Sequence, residues 1–146
     1  MYGYIFQLNH EYISKYTEER QPLYQNIQLG YFSTLYKAKE IVEKYKNLKG
    51  FCNYDVSCFK ITRRRIDKAE IINQILYELY HSYIIDGFEE FEYLGVFSAR
   101  KHAEEKIQKL IQKKAIFRKH PDGFDISEEV LDSENTIWNE GFDSFE

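Results

Sequence analysis

The stretch Tyr93-Leu94-Gly95-Val96-Phe97-Ser98-Ala99-Arg100-Lys101-His102-Ala103 has a second version 65 residues upstream, Gln28-Leu29-Gly30-Tyr31-Phe32-Ser33-Thr34-Leu35-Tyr36-Lys37-Ala38. From Leu29 to Asp67 the ungapped copies share 11 identities over 39 positions, spread along the whole interval. Such a chain folds as two copies of one unit, which excludes any architecture that cannot be built twice from half the sequence.

The elements of the unit follow from periodicity. Tyr4, Phe6, Leu8, His10 and Tyr12 alternate and predict a first strand, and Ile75, Tyr77, Leu79, His81 and Tyr83 repeat it at an offset of 71. The loop after the first strand is thus six residues longer than its counterpart, and the segment from about Ile13 to Gln25 has no periodicity and reads as an exposed loop. Asn26 to Phe32 and Phe91 to Phe97 predict second strands. Each carries a glycine, Gly30 or Gly95, of the kind that marks a bulge or a close backbone approach. Ser33 and Ser98 stand where helix N-caps belong.

Leu35, Ala38, Ile41, Val42, Tyr45 and Leu48 then form the apolar stripe of a helix ending near Gly50. Ala99, Ala103, Ile107, Leu110 and Ile111 form that of a second helix, which ends before His120-Pro121. Phe59 to Asp67 and Phe124 to Asp132 supply third strands. The expected fold is α+β, a tandem duplication of a strand-strand-helix-strand unit with antiparallel or mixed sheets, one helix per repeat and a pseudo-twofold relation. A right-handed crossover sets the third strand parallel to the second, with the first between them. Residues 1–67 form the first repeat and 75–146 the second with its tail. The connector 68–74 is too apolar for a flexible linker, so one compact body is expected.

Composition fits a self-sufficient core. With 43% hydrophobic and 17% aromatic residues, 146 residues need neither disulfide nor metal to fold. The spacing of Cys52 and Cys58 matches no usual zinc or redox motif, so both read as reduced thiols, and no cofactor is expected. The N-terminus has no basic region followed by an apolar run, and no stretch has the ~18 apolar residues of a membrane span, so a cytoplasmic setting is expected. Charge is divided unevenly: residues 1–68 carry 12 Lys/Arg against 7 Asp/Glu, and residues 69–146 carry 8 against 17. From Asp122 to the end there are nine acids and no base, a field suited to steering a basic partner or simply to solubility.

The second copy reads His81-Ser82-Tyr83, Gly95-Val96-Phe97-Ser98-Ala99-Arg100, Pro121-Asp122-Gly123-Phe124-Asp125-Ile126, Leu131-Asp132 and Trp138-Asn139-Glu140-Gly141-Phe142. In order and spacing it resembles an uncharacterised bacterial domain family of small stand-alone proteins with H-x-Y, G-V-[YF]-S-S-R-E, P-x-G-F-x-I, L-D and W-x-x-G-F elements. Glu129 stands where that pattern has a tyrosine, and the first copy lacks the Pro-x-Gly-Phe and Trp-x-x-Gly-Phe elements. The resemblance implies a fold and a bacterial or phage setting, and it carries no catalytic residue.

Four sets of residues invite a function. His10 and His81 occupy matching strand positions and suggest metal ligands or an acid-base pair, against partly buried hydrogen-bonding histidines. Lys60, Arg63, Arg64, Arg65 and Lys68, near Tyr54 and Phe59, suggest a nucleic-acid backbone site, although strand alternation divides the arginines between two faces. Trp138, Gly141, Phe142 and Phe145 suggest a peptide-binding tail, against a tail pinned to its own sheet. The acids Asp122, Asp125, Glu128, Glu129, Asp132, Glu134, Glu140, Asp143 and Glu146 suggest a partner-binding face, against a solvated one, with the first four taken as partner contacts. No Ser-His-Asp spacing, phosphate loop or paired-carboxylate motif stands out.

The expected function is therefore a non-enzymatic protein-binding module, inhibitor-like or immunity-like, that needs no membrane. It would engage a basic protein through Asp122, Asp125, Glu128, Glu129, Trp138 and Phe142. The alternative is a nucleic-acid-binding module using Lys60, Arg63, Arg64 and Arg65.

Overall fold

A computed structural model describes residues 3–67, 69–134 and 138–143. Its elements are β1 (Tyr4–Tyr16), β2 (Pro22–Phe32), α1 (Leu35–Tyr45), β3 (Phe59–Arg65), β4 (Ile75–Ile85), β5 (Phe88–Phe97), α2 (Arg100–Lys113), α3 (Ala115–Lys119) and β6 (Phe124–Val130). They form two three-stranded antiparallel sheets, ordered β2-β1-β3 and β5-β4-β6, each with its helix. The strand-strand-helix-strand unit therefore occurs twice, with its first strand in the middle of each sheet. Among the described residues no helix is long and apolar enough to cross a membrane.

The two glycines act through strand register. Leu8 pairs with Gly30 but Asn9 pairs with Gln28, so Leu29 is an extra residue in a β-bulge. Leu79 pairs with Gly95 and Tyr80 with Tyr93, so Leu94 repeats it. Gly30 and Gly95 have φ of 149° and 145°, where side chains are disfavoured. The extra residue shifts the alternation by one, so Ile27, opposite His10, and Phe32, opposite Phe6, face the same side although five residues apart. That side carries the core of Leu8, Ile27, Leu29, Phe32, Ala38, Tyr45, Phe51 and Phe59. Each large side chain buried there contributes roughly 1.5–3 kcal/mol before the entropy of ordering it.

Four expectations are corrected. The segment from Ile13 to Gln25 is mostly paired strand, with β1 and β2 running out to a short turn between Tyr16 and Pro22. It lies beyond the core, where neither face is fully buried, so selection for alternation is weak. Helix α1 stops at Tyr45, and Gly50, at φ 83°, precedes a short 3-10 turn instead of ending the helix. The second repeat carries two helices, because Lys114 is extended (φ −128°, ψ 132°) and redirects the chain so that Phe117 is fully buried.

Ser33 and Ser98 are not N-caps. Thr34 caps α1 by accepting from the Lys37 amide, and α2 starts at Ala99 without a side-chain cap. The serines instead meet aspartates. The Ser33 amide and hydroxyl donate to the two oxygens of Asp132, at 2.7 and 2.8 Å. The Ser98 amide donates to Asp67 Oδ1 at 2.9 Å, and the Ser98 hydroxyl donates to Oδ2. A nitrogen side chain completes each clasp: Lys37 Nζ lies 3.1 Å from Asp132, and His102 Nδ1 lies 3.0 Å from Asp67. Lys37 and His102 are matching positions of the two repeats.

Contacts divide the chain into two compact units, one of Met1–Tyr4 and Arg64–Val130, the other of Ile5–Arg63 and Leu131–Glu146. Each unit thus includes a segment of the other repeat, and that segment brings the clasping aspartate. In the second unit the segment is a strap. Leu131 bridges Tyr31 of β2 in parallel, Glu134 pairs with Lys44, and Tyr45 Oη donates to Asn139 Oδ1 at 2.7 Å. The Phe142 amide donates to Lys49 O at 2.9 Å, while Trp138 and Phe142 pack on the core.

Two glycines permit this crossing. Gly50 and Gly141 both have positive φ, and a Cβ would lie 2.3 Å from Phe142 O at the first and 2.1 Å from Lys49 O at the second. Gly50→Val and Gly141→Val should each cost on the order of 2 kcal/mol or more in urea unfolding. Each should also red-shift the emission of Trp138, the sole tryptophan.

Candidate functional site

An open concave surface belongs to the unit of Arg64–Val130, at the far end of its sheet. The β4 and β5 strands continue past the core to a tight turn at Asp86-Gly87, whose φ values of 52° and 81° are those of a type I′ hairpin. On the other side, Pro121-Asp122-Gly123 forms one 3-10 turn leading into β6. Between hairpin and turn lies a groove of about 750 Å³ lined by Ser82, Tyr83, Ile84, Glu89, Lys119, His120 and the segment from Pro121 to Asp125.

Packing fixes the groove wall. His81 Nε2–H donates to the His120 carbonyl at 2.8 Å, and the acceptor's identity places the proton on that nitrogen. The His81 ring also meets Phe117 and Phe124 at 4.7 and 4.6 Å. His120 stacks on Tyr83 at 4.5 Å with 14° between planes. A Cβ on Gly123 would lie 2.1 Å from Ser82 O, so only glycine lets the turn pass this close to β4. The Pro-x-Gly-Phe element of the second repeat therefore shapes the groove.

The rim is acidic and aromatic. Every residue from Phe88 to Glu92 is exposed, and this run reads Phe-Glu-Glu-Phe-Glu. Phe88, Phe91 and Ile84 keep 73%, 61% and 72% of their surface exposed. Asp122 and Asp125 are exposed, and they line the groove with Ile84 and Glu89. Sequence reasoning identified these two aspartates but missed the hairpin. The Asp86-Gly87 pair that follows the apolar Ile84-Ile85 was the available signal.

The other candidate residues are placed as follows. Glu128 is exposed, with Arg100 3.8 Å away. Glu129 is half-buried and pushed up to about 7, chiefly by burial and then by the charge of Glu78, which is fully buried. Burial and Glu78 likewise push the Tyr80 hydroxyl up. Trp138 and Phe142 lie in the other unit, on its core. Of the basic strand, Lys60 and Arg63 are exposed. Arg64 lies over the Tyr93 ring at 4.3 Å, and Arg65 over Tyr4 at 5.8 Å. Lys68, Phe145 and Glu146 lie outside the described residues.

His10 and His81 belong to different units, each among its own aromatics. Around His10 are Tyr12, Phe51, Tyr54, Phe59 and Phe142, with ring centroids between 4.7 and 5.9 Å. Both its ring nitrogens are buried without a hydrogen-bond partner among the described residues. No group of three His, Cys, Asp or Glu side chains able to hold a metal occurs among the described residues.

Folding does assemble a serine, a histidine and an aspartate that no sequence spacing announced. Ser98, His102 and Asp67 meet, but not as a nucleophilic triad, which needs the imidazole between hydroxyl and acid. Here the Ser98 hydroxyl donates directly to the carboxylate, and one nitrogen, His102 Nδ1, faces both Asp67 at 3.0 Å and Ser98 Oγ at 3.5 Å. Ser98 is 2% exposed, and the matching trio uses Lys37 in place of the histidine. Burial alone would raise the Asp67 carboxyl, but the Ser98 hydroxyl and amide and the His102 ring hold it below its ordinary value. This is a fastening between chain segments.

No family model, curated protein or solved structure matches the chain.

A buried group and a half-buried one set opposite pH responses. Burial pushes His10 down to about 4 from 6.5, so between those values the unfolded chain binds a proton that the folded chain does not. Stability should fall by about 3 kcal/mol as pH drops through that window, and His10→Phe should remove most of the loss in urea unfolding. Glu129, raised from 4.5 to about 7, holds a proton in the folded chain that the unfolded chain releases. Stability should therefore fall as pH rises through that range, and Glu129→Gln should flatten that limb.

Proposed function

We propose that this chain is a non-enzymatic protein-binding module that engages a basic partner through the acidic, aromatic rim of the groove in the Arg64–Val130 unit. The observation that carries the reading is the exposed Phe-Glu-Glu-Phe-Glu run of β5, whose Glu89 lines one groove with Ile84, Asp122 and Asp125. Exposed phenylalanines offer anchors that gain by being buried, and the surrounding carboxylates steer and select a positively charged surface. The intended partner contacts are Asp122, Asp125 and Glu128, as read from the sequence, with Phe88, Glu89, Glu90, Phe91 and Glu92 added. Glu129, Trp138 and Phe142 act in support, through packing.

A cytoplasmic inhibitor or immunity-like protein in a bacterial or phage setting fits this reading. So does the resemblance of the second repeat to a family of small stand-alone bacterial proteins. The nucleic-acid reading draws support from the exposed Lys60 and Arg63. Arg64 and Arg65 lie against tyrosine rings, an arrangement less suited to tracking a phosphate backbone.

A tagged chain incubated with host extract at low salt should retain a basic protein in stoichiometric amount. Phe88→Ser/Phe91→Ser and Glu89→Lys/Glu90→Lys should each weaken retention by about tenfold or more, and Lys60→Glu/Arg63→Glu should leave it intact. Retention of nucleic acid that only Lys60→Glu/Arg63→Glu abolishes would support the second reading, and no retained partner would count against both.

A further inference from the structure

The rim just described is also a strand edge. β5 is an outer strand of its sheet, and β4 pairs with it on one side only. Among the described residues, no backbone group from Phe88 to Glu92 makes a hydrogen bond beyond the pairing with β4. Such an edge presents alternate amides and carbonyls ready to pair with another chain. In the other unit, β2 holds the matching outer position, and there Leu131 bridges Tyr31 in parallel while the Asp132 amide donates to Tyr31 O at 2.8 Å. An outer strand of this fold thus already takes a backbone contact from another segment, at Tyr31, the position that matches Val96 of β5.

We infer that the outer edge of β5, from Phe88 to Glu92, takes an extended basic segment of the partner protein as an added strand. The inference rests on the proposed function and specifies how that partner binds. Register gives the partner's pattern. Phe88, Glu90 and Glu92 lie opposite Ile85, Tyr83 and His81 on one face, and Glu89 and Phe91 lie opposite Ile84 and Ser82 on the other. An added strand alternates in the same way, so its side chains beside Glu90 and Glu92 are Lys or Arg, and the one between them, beside Phe91, is apolar. The segment reads basic, apolar, basic. Main-chain hydrogen bonds supply affinity and the two faces supply selectivity.

The same carboxylates exclude other occupants. A second copy pairing edge to edge would set the glutamates of one β5 against those of the other, and like charges directly opposite are destabilising. Nucleic acid would meet acid on both faces. A basic extended segment alone satisfies the exposed backbone, the carboxylates and the phenylalanines together.

The test uses the full chain, amide-resolved NMR and three short peptides: one alternating Lys and Val, its twin N-methylated at every second residue, and an alternating Glu and Val control. The Lys-Val peptide is expected to shift the amides of Phe88 to Glu92 and to slow their hydrogen exchange. N-methylation, which removes donors while keeping charge, should weaken binding by at least about tenfold, as should Glu90→Lys/Glu92→Lys in the protein. Three results would overturn the edge pairing: equal binding of the N-methylated peptide, shifts centred on Asp122 and Asp125 with β5 unchanged, or protection of β5 that appears on raising protein concentration alone. In the first two the basic-partner reading stands. If no basic peptide binds anywhere, or the Glu-Val control binds equally, both fail.

Discussion

Each compact unit closes through an aspartate that grips the junction between a strand and a helix. Asp132 takes the amide and hydroxyl of Ser33, and Asp67 takes those of Ser98. A carboxylate that accepts two hydrogen bonds from one residue fixes both the distance and the orientation of the segments it joins, and bonds to a charged acceptor are stronger than neutral ones. The grip sets where Leu131 runs beside β2 and where Ile66, 3% exposed, is buried. It also explains why Leu-Asp or Ile-Asp follows each third strand, Ile66-Asp67 and Leu131-Asp132. An apolar residue packs and an acid fastens.

The two units then diverge in their polar economy. In one, His81 gives its Nε2 proton to the His120 carbonyl, and the turn that supplies this carbonyl opens into a groove. In the other, the tail covers the corresponding end. Phe142 closes the ring of aromatics around His10, whose nitrogens have no partner among the described residues. Three acids of the tail are spent on this fastening, Asp132 on Ser33 and Lys37, Glu134 on Lys44 and Asp143 on Lys49. The negative field of the C-terminal segment is thus partly neutralised within the molecule, while the β4–β5 hairpin and the Asp122 turn keep exposed acids.

Much of the fold was legible because the duplication reports each element twice. The central first strand, the glycine bulge and the buried alanines Ala38 and Ala103 were marked by coincidence between copies. What escaped had physical reasons. The Ile13 to Gln25 hairpin lost its alternation where burial ends. The extended Lys114 lies in an otherwise continuous helical pattern and is set by burial of Phe117. Ser33 and Ser98 looked like caps because nothing local shows an acid arriving from 99 or 31 residues away. At the site, Asp122 and Asp125 were visible as charge. The hairpin stayed hidden because Phe-Glu-Glu-Phe-Glu does not alternate: Phe88 and Phe91 fall on opposite faces of β5, and both faces are in solvent.

If the repeated serine and aspartate are a structural fastening, function belongs to what the repeats do not share. The most direct measurement is a pair of double-mutant cycles in urea unfolding, Asp67→Ala with Ser98→Ala and Asp132→Ala with Ser33→Ala. Coupling of about 1–2 kcal/mol in both cycles is the predicted result. Coupling near zero in both, with native-like stability retained, would contradict it.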